Sequence, residues 1–134
     1  MKQISIFIEN EKGKLAAVTS LLAKNGIDLR ALSIADTADY GILRIIADDV
    51  EKAKNLLSES GYLTRINDVI GVKIEDKVGS LSRIITALSI ADIAVEYTYA
   101  FTSPTEGQAF MVFRVNDNAR AISALAAAGI TAVI

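Results

Sequence analysis

The chain has no cysteine and no histidine among its 134 residues. Without cysteine there is no disulfide framework and no thiol nucleophile. Without histidine the commonest general base and the commonest metal ligand are both missing. A basic excess is absent too. Lys and Arg number 14 against 16 Asp and Glu, for a net charge of −2. Nucleic-acid binding needs a basic face to neutralise phosphates, so no nucleic-acid partner is expected. Long apolar runs are missing as well. The longest uncharged run, residues 121–134, is about 14 residues, contains Gly129, and is too short to span a bilayer. Met1-Lys2-Gln3-Ile4 is not followed by the apolar stretch and small-residue cleavage site of a secretory leader. These absences predict a soluble, cytoplasmic protein with no membrane partner, no metal and no cofactor.

What is present suffices for a core. Hydrophobic residues make up 51% and charged residues 22%, a globular balance that leaves no compositional case for disorder. The length suits one large domain or two small ones.

Self-similarity favours two. At an offset of 66 (79 − 13), Gly13 matches Gly79. At the same offset Ile4, Ile8, Glu9, Leu15, Leu22, Ile27 and Gly41 match Ile70, Ile74, Glu75, Leu81, Leu88, Ile93 and Gly107. Near the end Gly61 matches Gly129 at 68 (129 − 61), so the second copy carries two extra residues. The chain reads as a tandem duplication, with repeats at 1–67 and 68–134 and no flexible linker between them.

Each repeat reads β-α-β-β-α-β. In the first, Ile4, Ile6 and Ile8 alternate as a strand. Leu15, Val18, Leu21 and Leu22 recur at helical spacing until Asn25-Gly26 stops the helix. Residues 28–35 and 42–47 predict two further strands. Asp48 or Asp49 caps a second helix whose apolar face is Val50, Ala53, Leu56 and Leu57. Residues 62–66 close the unit. The second repeat follows suit. Strands are expected at 69–74, 94–102, 108–115 and 130–134, with a loop at 103–107. Its first helix is lined by Leu81, Ile84, Ile85 and Leu88. Its second, capped by Asn116 or Asp117, turns Ala119, Ile122, Leu125 and Ala126 inward. This split βαββαβ order predicts an α+β protein of two ferredoxin-like units, each with both helices on one sheet face. Consecutive apolar residues at 42–46 and 110–113, interrupted only by Arg44, predict that the other face is covered too. A homodimer is the simplest cover.

The stretch 8–15, Ile-Glu-Asn-Glu-Lys-Gly-Lys-Leu, and the stretch 74–81, Ile-Glu-Asp-Lys-Val-Gly-Ser-Leu, occupy the strand-to-helix turns. A glycine there lets another molecule approach the backbone, and a helix start points unpaired N–H groups outward. Such a corner suits a carboxylate. Strand carbonyls and the side chains of Asn10, Asp28 or Asp76 suit an ammonium group. Together these are the two ends of an α-amino acid.

The turns and the topology resemble those of the ACT domain, a small amino-acid-binding regulatory module, over essentially the whole chain as two copies. The resemblance rests on Asn10, Gly13, Leu15 and then Asp28-Leu29 in the first copy. In the second it rests on Asp76, Gly79, Leu81 and then Ala94-Val95, a looser fit. It implies that the two units lie side by side in one eight-stranded antiparallel sheet with the helices on one face. It also implies an effector held between the turn of one repeat and the second strand of the other. One pocket then pairs Asn10, Gly13, Lys14 and Leu15 with Ala94 and Val95. The other pairs Asp76, Gly79, Ser80 and Leu81 with Asp28 and Leu29. The first is the favoured pocket, because its turn is closer to the family pattern; the second, with two aspartates, binds better if ammonium recognition dominates, and the first, helped by Lys14, if carboxylate repulsion does.

The function implied is non-catalytic: a free amino acid is the effector, and a separate metabolic enzyme or regulator is the target. A protein–protein adaptor of the same fold is the alternative. An RNA-binding ferredoxin-like protein is a poorer one, because Phe7, Phe110 and Phe113 lack basic surroundings. An enzyme is not expected, since nothing marks a catalytic group.

Overall fold

The computed structural model describes residues 1–36, 39–103 and 105–133. Pro104 of the expected 103–107 loop and Ile134 of the expected last strand lie outside the described residues. The chain divides into two compact units. One is Lys2–Asn67; the other is Met1 with the stretch from Asp68 onward.

The first unit runs β1 (Lys2–Glu9), α1 (Lys14–Lys24), β2 (Leu29–Asp36), β3 (Tyr40–Ala47), α2 (Val50–Glu59) and β4 (Leu63–Asp68). The second runs β5 (Ile70–Glu75), α3 (Ser80–Ile90), β6 (Val95–Phe101), β7 (Gln108–Val115), α4 (Asn118–Ala127) and β8 (Ala132–Val133). Strand orders are β2-β3-β1-β4 and β6-β7-β5-β8, with the registered pairs antiparallel. The alternation in β1 turns Ile4, Ile6 and Ile8 toward the helices. There they meet Val18 and Leu22 of α1, Leu43 and Ile45 of β3, and Ala53 and Leu57 of α2. The second core repeats this with Ile70, Val72, Ile84, Leu88, Phe113, Val115, Ala121 and Leu125. Burying a side chain of this size is worth about 1.5–3 kcal/mol, so these two clusters hold the units together.

Three expectations change. Of the apolar face expected of α3, Ile84 and Leu88 are buried, whereas Leu81 and Ile85, a quarter-turn round the helix, are exposed. The strands hydrogen-bond into two sheets of four, not one sheet of eight. Each would-be joining edge, β2 and β6, is interrupted by a bulge, at Arg30 between Leu29 and Ala31 and at Glu96 between Val95 and Tyr97. A bulge bends and twists its strand, and edge-to-edge pairing needs a flat, regular ladder. The inward face of α4 also differs. Ala121 and Leu125 are buried, with Ile122, Ala124 and Ala128 packed against them, whereas Ala119 and Ala126 are exposed. In so alanine-rich a helix, hydropathy marks the rotational phase only weakly.

Helix starts fall into two kinds. Asp49 and Asp117 sit at the N-caps of α2 and α4, each side chain accepting the backbone N–H three residues on, from Lys52 and Arg120 at 3.0 Å. Gly13 and Gly79 sit at the N-caps of α1 and α3 with no side-chain cap at all.

Candidate functional site

The two glycine turns are built alike. Gly13 has φ +86° and Gly79 φ +90°, a left-handed backbone that costs other residues roughly 1–2 kcal/mol. An added Cβ meets nothing within 4 Å at either position, so glycine is required there by conformation and not by crowding. Each turn is tied to its neighbouring hairpin. The Asn10 N–H donates to the Asp39 carbonyl at 3.1 Å, and the Asp76 N–H to the Gly107 carbonyl at 2.9 Å. The Lys14 and Ser80 N–H groups close the turns on the carbonyls of Glu11 and Lys77, both at 3.2 Å. The Gly13 and Gly79 carbonyls accept from Ala17 and Arg83, both at 3.0 Å. The described residues therefore supply no acceptor to the N–H groups of Leu15 and Ala16, or of Leu81 and Ser82. Of the donors in Gly13-Lys14-Leu15 and Gly79-Ser80-Leu81, the middle one of each is taken up by the turn. Beside them Leu15 and Leu81 stand 36% and 38% exposed, a paired display of apolar surface next to free donors.

Lys14 reaches Glu9 at 3.6 Å across the first turn. In the second, Lys77 pairs closely with Glu75. The hydrogen bond from Lys77 and then its charge, with a smaller contribution from Arg83, hold the Glu75 carboxyl below its ordinary value of 4.5.

Asp28 and Leu29 are placed far from the turn of their own unit. β1 and β2 both run antiparallel to β3, with Glu9 opposite Tyr40 and Leu29 opposite Ala47. Seven residues of β3 separate these points (47 − 40), which is about 23 Å at 3.3 Å per residue. The second unit repeats the separation, with Glu75 opposite Gln108 and Val95 opposite Val115. Neither unit brings its own turn and its own second-strand start together. Asp28 is also engaged already. Its backbone exchanges two 3.0 Å hydrogen bonds with Asp48, and its carboxylate holds Arg30 at 3.1 Å. Ala94 is exposed and Val95 packs against the second core. The bulges at Arg30 and Glu96 are equivalent (96 − 30 = 66) and directly follow these positions.

A further feature adjoins the second turn. An open groove of about 640 Å³ runs from Lys73, Glu75 and Lys77 past Gly79, Ser80 and Arg83 to Gly129, Ile130 and Thr131. Arg83 and the 129–131 segment are absent from the site residues that the sequence suggests. The signal was available at the repeat offset, where Arg83 stands opposite Ala17 (83 − 17 = 66).

Two duplicated ferredoxin-like units, each opening its first helix on an uncapped left-handed glycine, define a paired α+β module. The comparisons supply the family. Residues 1–131 match the model of the ACT domain pair, and the chain belongs to that family. It is 36% identical to protein BT0572 from Bacteroides thetaiotaomicron, whose crystal structure matches with a TM-score of 0.91 over 98% of this chain and 90% of that one. The regulatory subunit of aspartate kinase from Thermus thermophilus, in its ligand-free form, shares the fold. Its TM-score is 0.69 at 18% identity, over 95% of this chain and 91% of that one. Among curated proteins, the acetolactate synthase small subunit of Buchnera aphidicola subsp. Baizongia pistaciae (strain Bp) is 31% identical over 75 residues, or 55% of this chain and 47% of that protein. The chain spans about half the length of that curated relative. Among the described residues, no helix is long and apolar enough to cross a membrane.

Proposed function

We propose that the chain is a non-catalytic regulatory module that binds a free amino acid, with repeats 1–67 and 68–134 as its two modules. The observation that carries this reading is the pair of uncapped helix starts, each with two adjacent N–H donors open beside an exposed leucine. A carboxylate suits those donors, and the helix end adds roughly 0.3–1 kcal/mol. A hydrogen bond to a charged group is worth about 1.5–3 kcal/mol, so a handful supports micromolar binding, near −8 kcal/mol.

In this reading Asn10, Gly13, Lys14 and Leu15 work with Ala94 and Val95. Asp76, Gly79, Ser80 and Leu81 work with Asp28 and Leu29. The target is a separate metabolic enzyme in the cytoplasm. The names of the relatives, a regulatory subunit and a small subunit, support a subunit-like role. The exposed Phe7, Leu32, Ile34 and Tyr40 support self-association as a homodimer, which sedimentation would read directly.

A thermal-shift screen of the twenty amino acids tests the reading. A ligand at 100 times its Kd adds about 2.7 kcal/mol of stability. Gly13→Val and Gly79→Val should each weaken binding in calorimetry while leaving the fold intact. If no amino acid shifts the wild-type protein, the adaptor reading replaces this one.

A further inference from the structure

The outer strand of the first sheet, β2, carries an exposed strip that runs up to the first turn. Leu32 stands opposite Ile45 and Ile34 opposite Leu43. Those two β3 residues are buried in the core under the helices, and cross-strand partners share a face. Leu32, Ile34 and, two residues on, Asp36 therefore project on the helix side. Elsewhere in the sheet that side is buried, yet Leu32 is 41% and Ile34 42% exposed. The topology gives the reason. In the order β2-β3-β1-β4, α1 links β1 to β2 across β3, and α2 links β3 to β4 across β1. The two helices lie over the inner strands and leave the helix side of β2 open.

On α1, Val18 and Leu22 face the core. The flank toward α2 is marked by Ala17, whose equivalent Arg83 donates to the Ala128 carbonyl beyond α4. Leu15 and Thr19, four residues apart on the other flank, overlook β2. The Thr19 hydroxyl is turned back onto the Leu15 and Ala16 carbonyls, so this flank presents apolar surface. β1 and β2 both end where α1 begins, with Glu9 opposite Tyr40 and Asp36 opposite Gly41. A Cβ on Gly41 would lie 3.5 Å from the Ile8 side chain and 3.7 Å from that of Ile34, which places Ile34 at this end of the helix side. Asp36 is exposed, and among the described residues nothing pairs with its carboxylate. Open N–H donors, an aliphatic strip and an unpaired carboxylate thus meet at one end of one unit.

The second repeat lacks the strand half of this arrangement. Leu32, Ile34 and Asp36 become Thr98, Ala100 and Thr102 at the repeat offset (98 − 32 = 66). The strip is also small. A stable protein interface takes about 20–30 residues a side, and the exposed Phe7 and Tyr40 lie on the opposite sheet face, where they do not extend it. From Leu32 to Ile34 is about 6.6 Å, a span that suits one aliphatic side chain.

We propose that the first repeat selects a branched aliphatic amino acid. Its carboxylate meets the N–H groups of Leu15 and Ala16, its ammonium meets Asp36, and its side chain lies along Leu15, Ile34 and Leu32. This rests on the amino-acid reading above and adds to it the group that holds the ammonium and the surface that chooses the side chain.

Leucine, alanine, asparagine and isovalerate form the discriminating set, titrated into the full chain by calorimetry and followed by backbone amide NMR. Leucine should bind at least about tenfold tighter than alanine or asparagine and shift the amides of Leu15, Ala16, Leu32 and Ile34. Ile34→Ala should weaken leucine and leave alanine unchanged. Asp36→Asn should weaken leucine about tenfold or more and leave isovalerate, which has no ammonium, unchanged. Circular dichroism checks that each variant folds. The proposal is overturned if leucine binds no better than asparagine, or if the shifts fall on residues 79–83 instead. It is overturned too if Ile34→Ala and Asp36→Asn leave leucine affinity unchanged, or if Asp36→Asn weakens isovalerate as much as leucine. In each of those cases amino-acid binding itself stands. If no amino acid binds at all, the amino-acid reading falls and this proposal with it. If Ile34→Ala changes sedimentation and not leucine affinity, a second copy covers the strip and the proposal is wrong.

Discussion

At the scale of single residues, Glu75 gives the most direct test of the second turn. Its carboxyl is held below 4.5 by the Lys77 hydrogen bond first, the Lys77 charge next and Arg83 last. A depressed carboxyl pKa contributes stability that is present above the unfolded value and lost as pH falls through the folded one. Glu75 is exposed, so the contribution is small, but the titration itself is readable. Carboxyl-detected NMR should find Glu75 titrating below 4.5, and Lys77→Ala should move it back up. An unchanged value in that variant would mean the pair does not persist in solution. Of the turn geometry at this scale, the glycines were legible in the sequence. It did not disclose that the Lys14 and Ser80 N–H groups are consumed in closing the turn. That depends on the left-handed backbone, which directs the N–H of the next residue back onto a carbonyl three residues earlier.

At the scale of elements, the repeats differ in how they end their first helices. α1 is followed by Gly26 at φ +71°, while the matching position after α3 is Asp92 at φ +56°. Aspartate tolerates that conformation better than most residues but still bears a cost. Asp92→Gly should therefore stabilise the protein by up to about 1 kcal/mol, offset in part by the greater freedom of glycine in the unfolded chain. The opposite sign is expected at the caps, where Asp49→Ala and Asp117→Ala should each cost about 1 kcal/mol. Urea unfolding midpoints at constant slope would rank the three variants. Element order and most boundaries were legible in the sequence, because apolar periodicity and capping residues are local signals. The phase of α4 and the bulges were not. Alanine lies on either face of a helix with little penalty. A bulge is invisible in an apolar strand until register with its neighbour is known, and at Arg30 and Glu96 it reverses which side chains face the helices.

At the scale of the whole molecule, the hydrophobic residues gather into two clusters, each within one repeat. Leu22 and Leu88 are fully buried at equivalent positions (88 − 22 = 66). Leu22→Ala and Leu88→Ala should each cost about 2–5 kcal/mol, the lost transfer energy plus the cavity left behind. Leu63→Ala, at a position 69% exposed, should change stability by less than about 0.5 kcal/mol. Thermal unfolding distinguishes these outcomes. A large loss at Leu63 would mean that this surface is covered in solution.

The sequence by itself determined the duplication, the βαββαβ order of each copy and the two glycine turns. Each of these rests on residue types at short, fixed spacings, where propensity and periodicity act locally. Only the tertiary structure decided that the strands form two sheets of four. It alone put each turn and its own second-strand start at opposite ends of a sheet, and set Arg83 against Gly129 across 46 residues (129 − 83) to wall a groove. Those outcomes depend on strand register, bulges and the approach of segments distant in the chain, and no local pattern encodes them.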